Sequence, residues 1–355
     1  MTSPKEQLEA TCAAPAEKQE ITSPSFLEKV ALVESTYIGY PRLEELLSKI
    51  GFCQRISTVT ADPECMFIGG DTGAGKSTLC DQYMSNYPKK ILPTRTHGCV
   101  LRLSIPTRAT HHSLVEAMLE ALGDKFPTNG TTHRKTMRLR NLLRDCGVEL
   151  IILDELQLFY DKDANKVLKD TCDWLRGLIV DTKIPVVLLG LPEAEAVLNA
   201  NEQLSRRFAN RHKLTPLTFS DDKDMDELST FLLMVEKELP LRERSGLNSY
   251  DMAYRIRYAT DGVVGYIMTL IRKGFRIALE AGVEKIDLDI LEEAFDLYIQ
   301  KDKPTKTNPF RYVKFTKAEV ERLLKEETET KEDPGGISKK LNARKRKHKK
   351  AKDIF

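Results

Sequence analysis

The sequence predicts an α/β protein, with a parallel-sheet core that carries a phosphate-binding loop and is followed by a small all-helical domain. Three observations lead there. An apolar run, Cys65 to Ile68, leads into Gly70-Asp71-Thr72-Gly73-Ala74-Gly75-Lys76-Ser77, which fits G-x-x-x-x-G-K-[ST]. Up to Pro216, apolar strand-like runs alternate with helix-period segments, as in a parallel sheet covered on both faces. Beyond Pro216 the segments have helical period with no strand between them.

Taken in order, residues 1–24 are rich in Pro, Ser and Glu and predict mobility, with a short helix in SFLEKVALVES. YIGYPRLEELLSKIGF sets Leu43, Leu46, Leu47 and Ile50 on one helical face. The glycine-rich loop opens a helix from Lys76 to about Asn86. CVLRLSI (99–105) reads as a second strand, SLVEAMLEALG as a helix ended by Gly123, and HRKTMRLRNLLRDCG as a basic helix ended by Gly147. ELIILDELQLF (149–159) holds a third strand, and a long helix follows around Trp174. IPVVLLGLP (184–192) and HKLTPL (212–217) give the fourth and fifth strands. Four helical segments then run from DMDELSTFLLMVEKEL to DLDILEEAFDLYIQ. The expected map is a mobile segment over 1–35, the α/β core over 36–220, the helical domain over 221–302 and a charged C-terminal extension over 303–355.

Bulk properties narrow the class. The chain has 355 residues, 41% hydrophobic and 30% charged, enough for one large or two modest domains with a core. The first twenty residues hold several Glu and no apolar stretch of signal-peptide type, and no run of eighteen apolar residues offers a membrane span. The seven cysteines (12, 53, 65, 80, 99, 146 and 172) form no C-x-x-C pair. Buried free thiols in a reducing cytoplasm are therefore expected. The net charge of +2 hides an asymmetry, because residues 339–352 hold nine Lys/Arg and no acid, leaving the rest of the chain acidic. This block follows an acidic Pro/Gly linker and predicts disorder. A solvated tail and a contact to nucleic acid or an acidic partner are both open readings.

The chemistry starts at the loop. Its glycines let the backbone turn tightly, so successive amides can face the phosphates of ATP. Residues Gly70 to Thr78 line that site; Lys76 reaches the β/γ-phosphates, and the Ser77 hydroxyl is a ligand for Mg2+. The helix that follows aims its positive end at the same anion. Some 80 residues on, Leu150-Ile151-Ile152-Leu153 ends in Asp154-Glu155. Asp154 is then the carboxylate that holds Mg2+ through water, and Glu155 the one that polarises the attacking water. The fourth strand ends in Gly190-Leu191, where a polar sensor is expected and no polar side chain exists; Glu193 or a backbone group is the substitute. EQLSRRFANR places Arg206 and Arg207 near the end of a short helix. Either can reach a neighbouring subunit's γ-phosphate, and the alternative is a surface helix paired to acids.

The phosphate-binding loop, LIILDE, SRRF and the trailing helical lid together resemble an AAA+ ATPase. More narrowly, YIGYPRLEELL before the core, the LDELQ phrase and LLGLPEA resemble the TniB/TnsC regulators of transposons, CRISPR-associated ones among them, over about residues 36–300. That resemblance implies a homo-oligomer, ring or helical filament, assembled with ATP on duplex DNA. It also implies recruitment or stimulation of a DDE transposase, and a link to a target-selection protein of the TniQ type. It matches Lys76, Ser77, Asp154 and Glu155 to the ATP site and the SRRF arginines to the finger. The sensor arginine usual in the lid is missing: no Arg follows Gly265 within six residues, and Arg272 is a distant substitute. DNA contacts need basic side chains on one rim of the assembly. Candidates are Arg108 in PTRATHH and Thr131, Arg134, Lys135 and Arg138 in TTHRKTMRLR, with Arg134 and Arg138 on one helical face and Met137, Leu142 and Leu143 serving the core. A helicase or replication-initiator loader shares nearly every motif. A small-molecule P-loop kinase places its lid inside the core, and a GTPase lacks support because no N-K-x-D occurs.

Overall fold

The computed structural model describes residues 24–332, apart from 89, 92–95, 108–109, 160–164, 200 and 218–221. Residues 1–23, Arg108, Cys12 and the basic stretch 339–352 therefore lie outside the described residues. The chain divides into two units. An α/β unit comprises Gly39–Pro216 with Val263–Gly265; a helical unit comprises Leu217–Gly262 and Tyr266 onward, together with residues up to Ile38. The division falls at Pro216, a few residues before the expected position.

The first helix, α1 (Pro24–Ser35), belongs to the helical unit. The α/β unit opens with α2 (Pro41–Ile56), whose Pro41 occupies the first turn, where a missing amide donor costs nothing. Leu43, Leu46 and Ile50 are buried as the periodicity predicts, with Leu47 half-buried. Then come β1 (Met66–Gly70), α3 (Lys76–Ser85) and a short antiparallel pair, β2 (Lys90–Ile91) with β3 (Thr96–His97). Next are β4 (Val100–Ser104), α4 (His111–Ala121), α5 (Thr132–Asp145), β5 (Leu150–Asp154) and α6 (Asn165–Thr182). The unit closes with β6 (Val186–Gly190), α7 (Glu195–Asn199), α8 (Glu202–Arg207) and β7 (Asn210–Leu214).

Five strands form one parallel sheet in the order β4-β5-β6-β1-β7. β1 is thus interior, while the next strand of the sheet in sequence, β4, lies at the far edge. The ends of β1, β6 and β5 stand side by side where the chain reverses its direction of winding, the place where open α/β sheets bind ligands. β1, β5 and β6 are buried at every residue, which is why they read as unbroken apolar runs. One core cluster includes Phe67, Leu119, Leu139, Leu143, Ile151, Leu153, Leu188 and Phe208. In α5 the helical phase differs from expectation by a small rotation. Leu139 and Leu143 are buried, whereas Met137 is 43% exposed.

In the helical unit, α9 (Asp222–Glu238) and α10 (Tyr250–Thr260) precede α11 (Val264–Ala281). α12 (Leu288–Ala294) runs into a π-helical turn, Phe295–Ile299, and α13 (Lys317–Glu332) follows. The order continues well past residue 302. The Arg255 guanidinium, fully buried, donates to Pro309 O at 2.6 Å and Tyr312 O at 2.8 Å and pairs with Asp251 at 2.7 Å. Lys306 is buried between Asp261 (2.8 Å) and Glu327 (3.2 Å), and the Tyr258 hydroxyl donates to Glu327 at 2.6 Å. A buried charge persists only when it is paired and hydrogen-bonded, so these contacts tie residues 303–327 to α10. The unit also holds α1: the Arg272 guanidinium donates to Val33 O (3.2 Å) and Thr36 O (3.4 Å) and lies 3.6 Å from Glu34. The short helix expected in SFLEKVALVES is thus α1, at the end of segment 1–35.

Candidate nucleotide site

The loop between β1 and α3 has the backbone its glycines predict. Gly73 (φ 80°) and Gly75 (φ 102°) are left-handed, a region that side-chain-bearing residues avoid. Gly75 is the N-cap of α3 and offers no side-chain cap, so the amides of the first turn are left for an anion. The Lys76 ammonium, 9% exposed, donates to Gly70 O at 2.6 Å and Asp71 O at 3.0 Å. Those bonds hold the lysine against the loop it must serve. Ser77 and Thr78 are exposed on the first turn, and Asp71 and Thr72 are exposed on the loop. At Gly70 a Cβ would come within 2.9 Å of Leu214 O. The Gly265 amide donates to Gly73 O at 2.8 Å, and a Cβ at Gly265 would meet the same oxygen at 2.9 Å. Gly265 thus touches the phosphate-binding loop through its backbone.

The carboxylates stand at the end of β5. Asp154 is 4% exposed, and its Oδ1 accepts the Glu155 amide at 2.8 Å. The Cys80 thiol lies one turn beyond Ser77 on α3. Burial pushes it up to about 12, with the Arg102 charge opposing and the Asp154 carboxylate reinforcing that rise. The Ser77 hydroxyl and the buried Asp154 carboxylate are hard oxygen donors of the kind that suits Mg2+. Glu155 has φ 66°, an uncommon conformation for a residue with a side chain. Among the described residues the six cysteines form no disulfide, and five of them are buried, as expected.

One neighbour of the site went unread in the sequence. Gln157 lies in the short 3-10 turn Leu156–Phe159, accepts the Leu191 amide at 3.0 Å through Oε1 and donates through Nε2 to Glu155 Oε2. Its signal is the LDELQ phrase, in which Gln157 follows Glu155 by two residues. A Cβ at Gly190 would come within 3.0 Å of Leu156 Cβ, 3.0 Å of Ala194 Cβ and 3.1 Å of Gln157 Oε1. The space a side chain would need at the sensor position is filled by Leu156 and Gln157 beyond β5 and by Ala194 beyond β6. Glu193, the substitute considered for that position, is exposed. Arg272, the other substitute, is engaged by the end of α1.

The remaining candidates separate clearly. Arg206 is 78% exposed with an i,i+4 pair to an equally exposed Glu202 at 2.5 Å. Arg207 is only 20% exposed and pairs with Asp62 of its own unit at 2.7 Å. On α5, Thr131 is the N-cap, its hydroxyl accepting the Arg134 amide at 3.4 Å. Lys135 is buried and paired with Glu116. Arg138 donates to Asp124 (2.7 Å), Asn129 O (3.1 Å) and Phe126 O (2.7 Å), bracing the loop before its own helix. Arg134 is exposed. The shared face expected for Arg134 and Arg138 is thus divided, because the 124–129 loop folds back to take the second arginine.

Comparisons with known proteins agree with this geometry. The family model described as "Bacterial TniB protein" matches residues 29–216, just over half of the chain. Among curated proteins no sequence matches the chain. Among solved structures, the ORC2 protein of Aeropyrum pernix in its ADPNP–ADP complexes is similar at TM-score 0.53 and 15% identity, over 78% of this chain and 74% of that one. The CDC6p protein of Pyrobaculum aerophilum gives 0.52 and 16% over 74% and 69%. The A. pernix ORC1 protein in complex with DNA gives 0.52 and 17% over 78% and 70%. At such identities the likeness shows the fold alone, an AAA+ core with a helical C-terminal domain. A phosphate-binding loop on the interior strand, an acidic pair on a later strand and a family match spanning both lead to one conclusion: the chain belongs to the TniB family and has the AAA+ fold.

Proposed function

We propose that the protein is an ATP-hydrolysing transposition regulator that assembles as a homo-oligomer on target duplex DNA, recruits or activates a DDE transposase, and links it to a TniQ-type target-selection protein. The observation that carries this reading is the presence of both ATP-site motifs, with Lys76, Ser77, Asp154 and Glu155, in a chain of the TniB family. Lys76 and the amides of Gly73 to Ser77 bind the phosphates, and Glu155 accepts the proton of the attacking water. Ser77 and Asp154 would hold Mg2+, which would supply charge neutralisation on the phosphates. Arg206, exposed at the end of α8, is the finger that completes a neighbour's site, and Arg207 serves its own fold. Among the described residues of the DNA-contacting set, Thr131 and Arg134 are exposed. The ADPNP–ADP and DNA complexes recorded for the ORC proteins of similar fold support nucleotide and DNA as ligands.

The loader reading draws support from the same fold likeness, and the family match favours transposition. ATP turnover with and without duplex DNA, followed by transposase activity with and without this protein, tests both. Turnover stimulated by duplex DNA and an ATP-dependent gain in transposition are expected. Stimulation by a small metabolite in place of DNA would leave the kinase reading; DNA stimulation without any effect on transposition would leave the loader.

A further inference from the structure

We propose that Gln157 is the positioning residue of Glu155, and that it stands at the end of β6 where a sensor side chain would otherwise be. The inference rests on the hydrolytic reading above and adds a residue to it. The register Ile151↔Val186 to Leu153↔Leu188, run two residues further, sets Glu155 level with Gly190. Between these two strand exits lies the Gln157 amide.

Its orientation is decided by its partners. The Leu191 backbone amide is only a donor, so the atom facing it at 3.0 Å must be the carbonyl oxygen. The NH2 group then faces Glu155, where it donates to Oε2. The carboxylate is thereby tied through a neutral side chain to the backbone at the end of β6. Glu155 needs such a tie, because its left-handed backbone (φ 66°) is sustained only where surrounding contacts over-determine it. The glycine at 190 belongs to the same device. A side chain there would meet Gln157 Oε1 at 3.1 Å and two Cβ atoms at 3.0 Å, so a sensor on β6 and Gln157 compete for one space.

With Oε2 held, Oε1 is the oxygen aimed at water. In the step it serves, a water oxygen forms a bond to the γ-phosphorus and the bond from that phosphorus to the β–γ bridging oxygen breaks. ADP leaves with that electron pair, and the water proton passes to Glu155. Geometry of this kind is unforgiving: a displacement of about 1 Å can cost on the order of 100-fold in rate.

The test is turnover of the full chain on duplex DNA, paired with direct binding of a non-hydrolysable ATP analogue. Gln157→Met keeps the length and loses both hydrogen bonds; Gln157→Glu keeps an acceptor for the Leu191 amide and loses the donor to Glu155. Both variants are expected to lower kcat by about 10- to 100-fold with analogue affinity within about twofold of wild type. A residue acting through Glu155 adds nothing once Glu155 is disabled, so Gln157→Met in a Glu155→Gln background should cause no further loss. An unchanged or raised kcat overturns the proposal, as does an equal further loss in that background or a loss of analogue binding in both variants. If wild type itself does not hydrolyse ATP, the hydrolytic reading fails first; an active wild type with indifferent Gln157 variants sinks this inference alone.

Discussion

Arg206 and Arg207 are adjacent in sequence, yet truncating each to Ala is expected to produce opposite results. Arg206 and its i,i+4 partner Glu202 are both 78% exposed, and such pairs contribute about 0.3–0.5 kcal/mol. Arg206→Ala should therefore shift Tm by no more than about 2 °C. Arg207 is mostly covered and bonded to Asp62 at 2.7 Å, a contact that links α8 to the segment before β1. Its loss should cost about 1 kcal/mol, or about 2–4 °C. Hydrolysis should follow the reverse order. A finger supplied by a neighbour is worth on the order of 1,000-fold or more in kcat, equivalent to about 4 kcal/mol of transition-state stabilisation. Arg206→Ala should thus bind nucleotide and fail to turn it over, while Arg207→Ala retains turnover below its lowered Tm. The assay is steady-state ATPase on duplex DNA with thermal unfolding of the same samples, repeated after mixing Arg206→Ala with Lys76→Ala subunits. Mixing should restore part of the activity, since one interface then joins an intact loop to an intact finger. Wild-type turnover by Arg206→Ala would refute the assignment, and an assembled mixture that stays inactive would refute the shared site.

Lys76→Ala should abolish tight ATP binding, whereas Glu155→Gln should keep binding and slow hydrolysis; equilibrium binding and single-turnover kinetics distinguish the two, and wild-type hydrolysis by Glu155→Gln would remove it from its role. Gly265→Ala forces a Cβ to within 2.9 Å of Gly73 O, so analogue affinity should fall by about tenfold or more as the loop is pushed out of place; unchanged affinity in a titration would show that the contact is dispensable. Asp261 sits with Lys303 and Lys306, and although burial raises its pKa, the hydrogen bonds from these lysines outweigh that effect and hold it below the usual range. A depressed carboxylate contributes stability above its unfolded pKa of about 4 and loses it as pH falls through the folded value. Asp261→Asn, which keeps the left-handed backbone at φ 54°, should therefore lower Tm at pH 7 and lower it by less at pH 3. An equal drop at both values would mean that the charge is not what matters.

The ATP site was legible in the sequence because its chemistry is local. Gly73, Gly75, Lys76 and Ser77 act within one strand–loop–helix turn, and Asp154-Glu155 end a strand whose unbroken apolar run announces its burial on both faces. The five strands and the change to helices after Pro216 were legible for the same reason, since burial imprints a period on the residues that suffer it. Side-chain destinations were not. Lys135, Arg138 and Arg272 look like solvated or ligand-seeking cations in one dimension, yet each is spent on an acid or a carbonyl brought to it by another element: Glu116, Asp124 and the end of α1. Arg255 and Lys306 show the same effect, as buried charges whose partners lie up to 57 residues away in the chain.

By itself, then, the sequence determined that this chain has a parallel sheet, a phosphate-binding loop and an acidic pair at the end of a later strand. Only the tertiary structure decided which arginine of SRRF faces outward, why β6 ends without a sensor, and which glutamine touches Glu155. The physical reason is range. Backbone conformation and burial follow from neighbours a few residues apart, whereas the pairing of a charge or an amide depends on which strand exits lie side by side, and β5, β6 and β1 become neighbours only when the sheet closes.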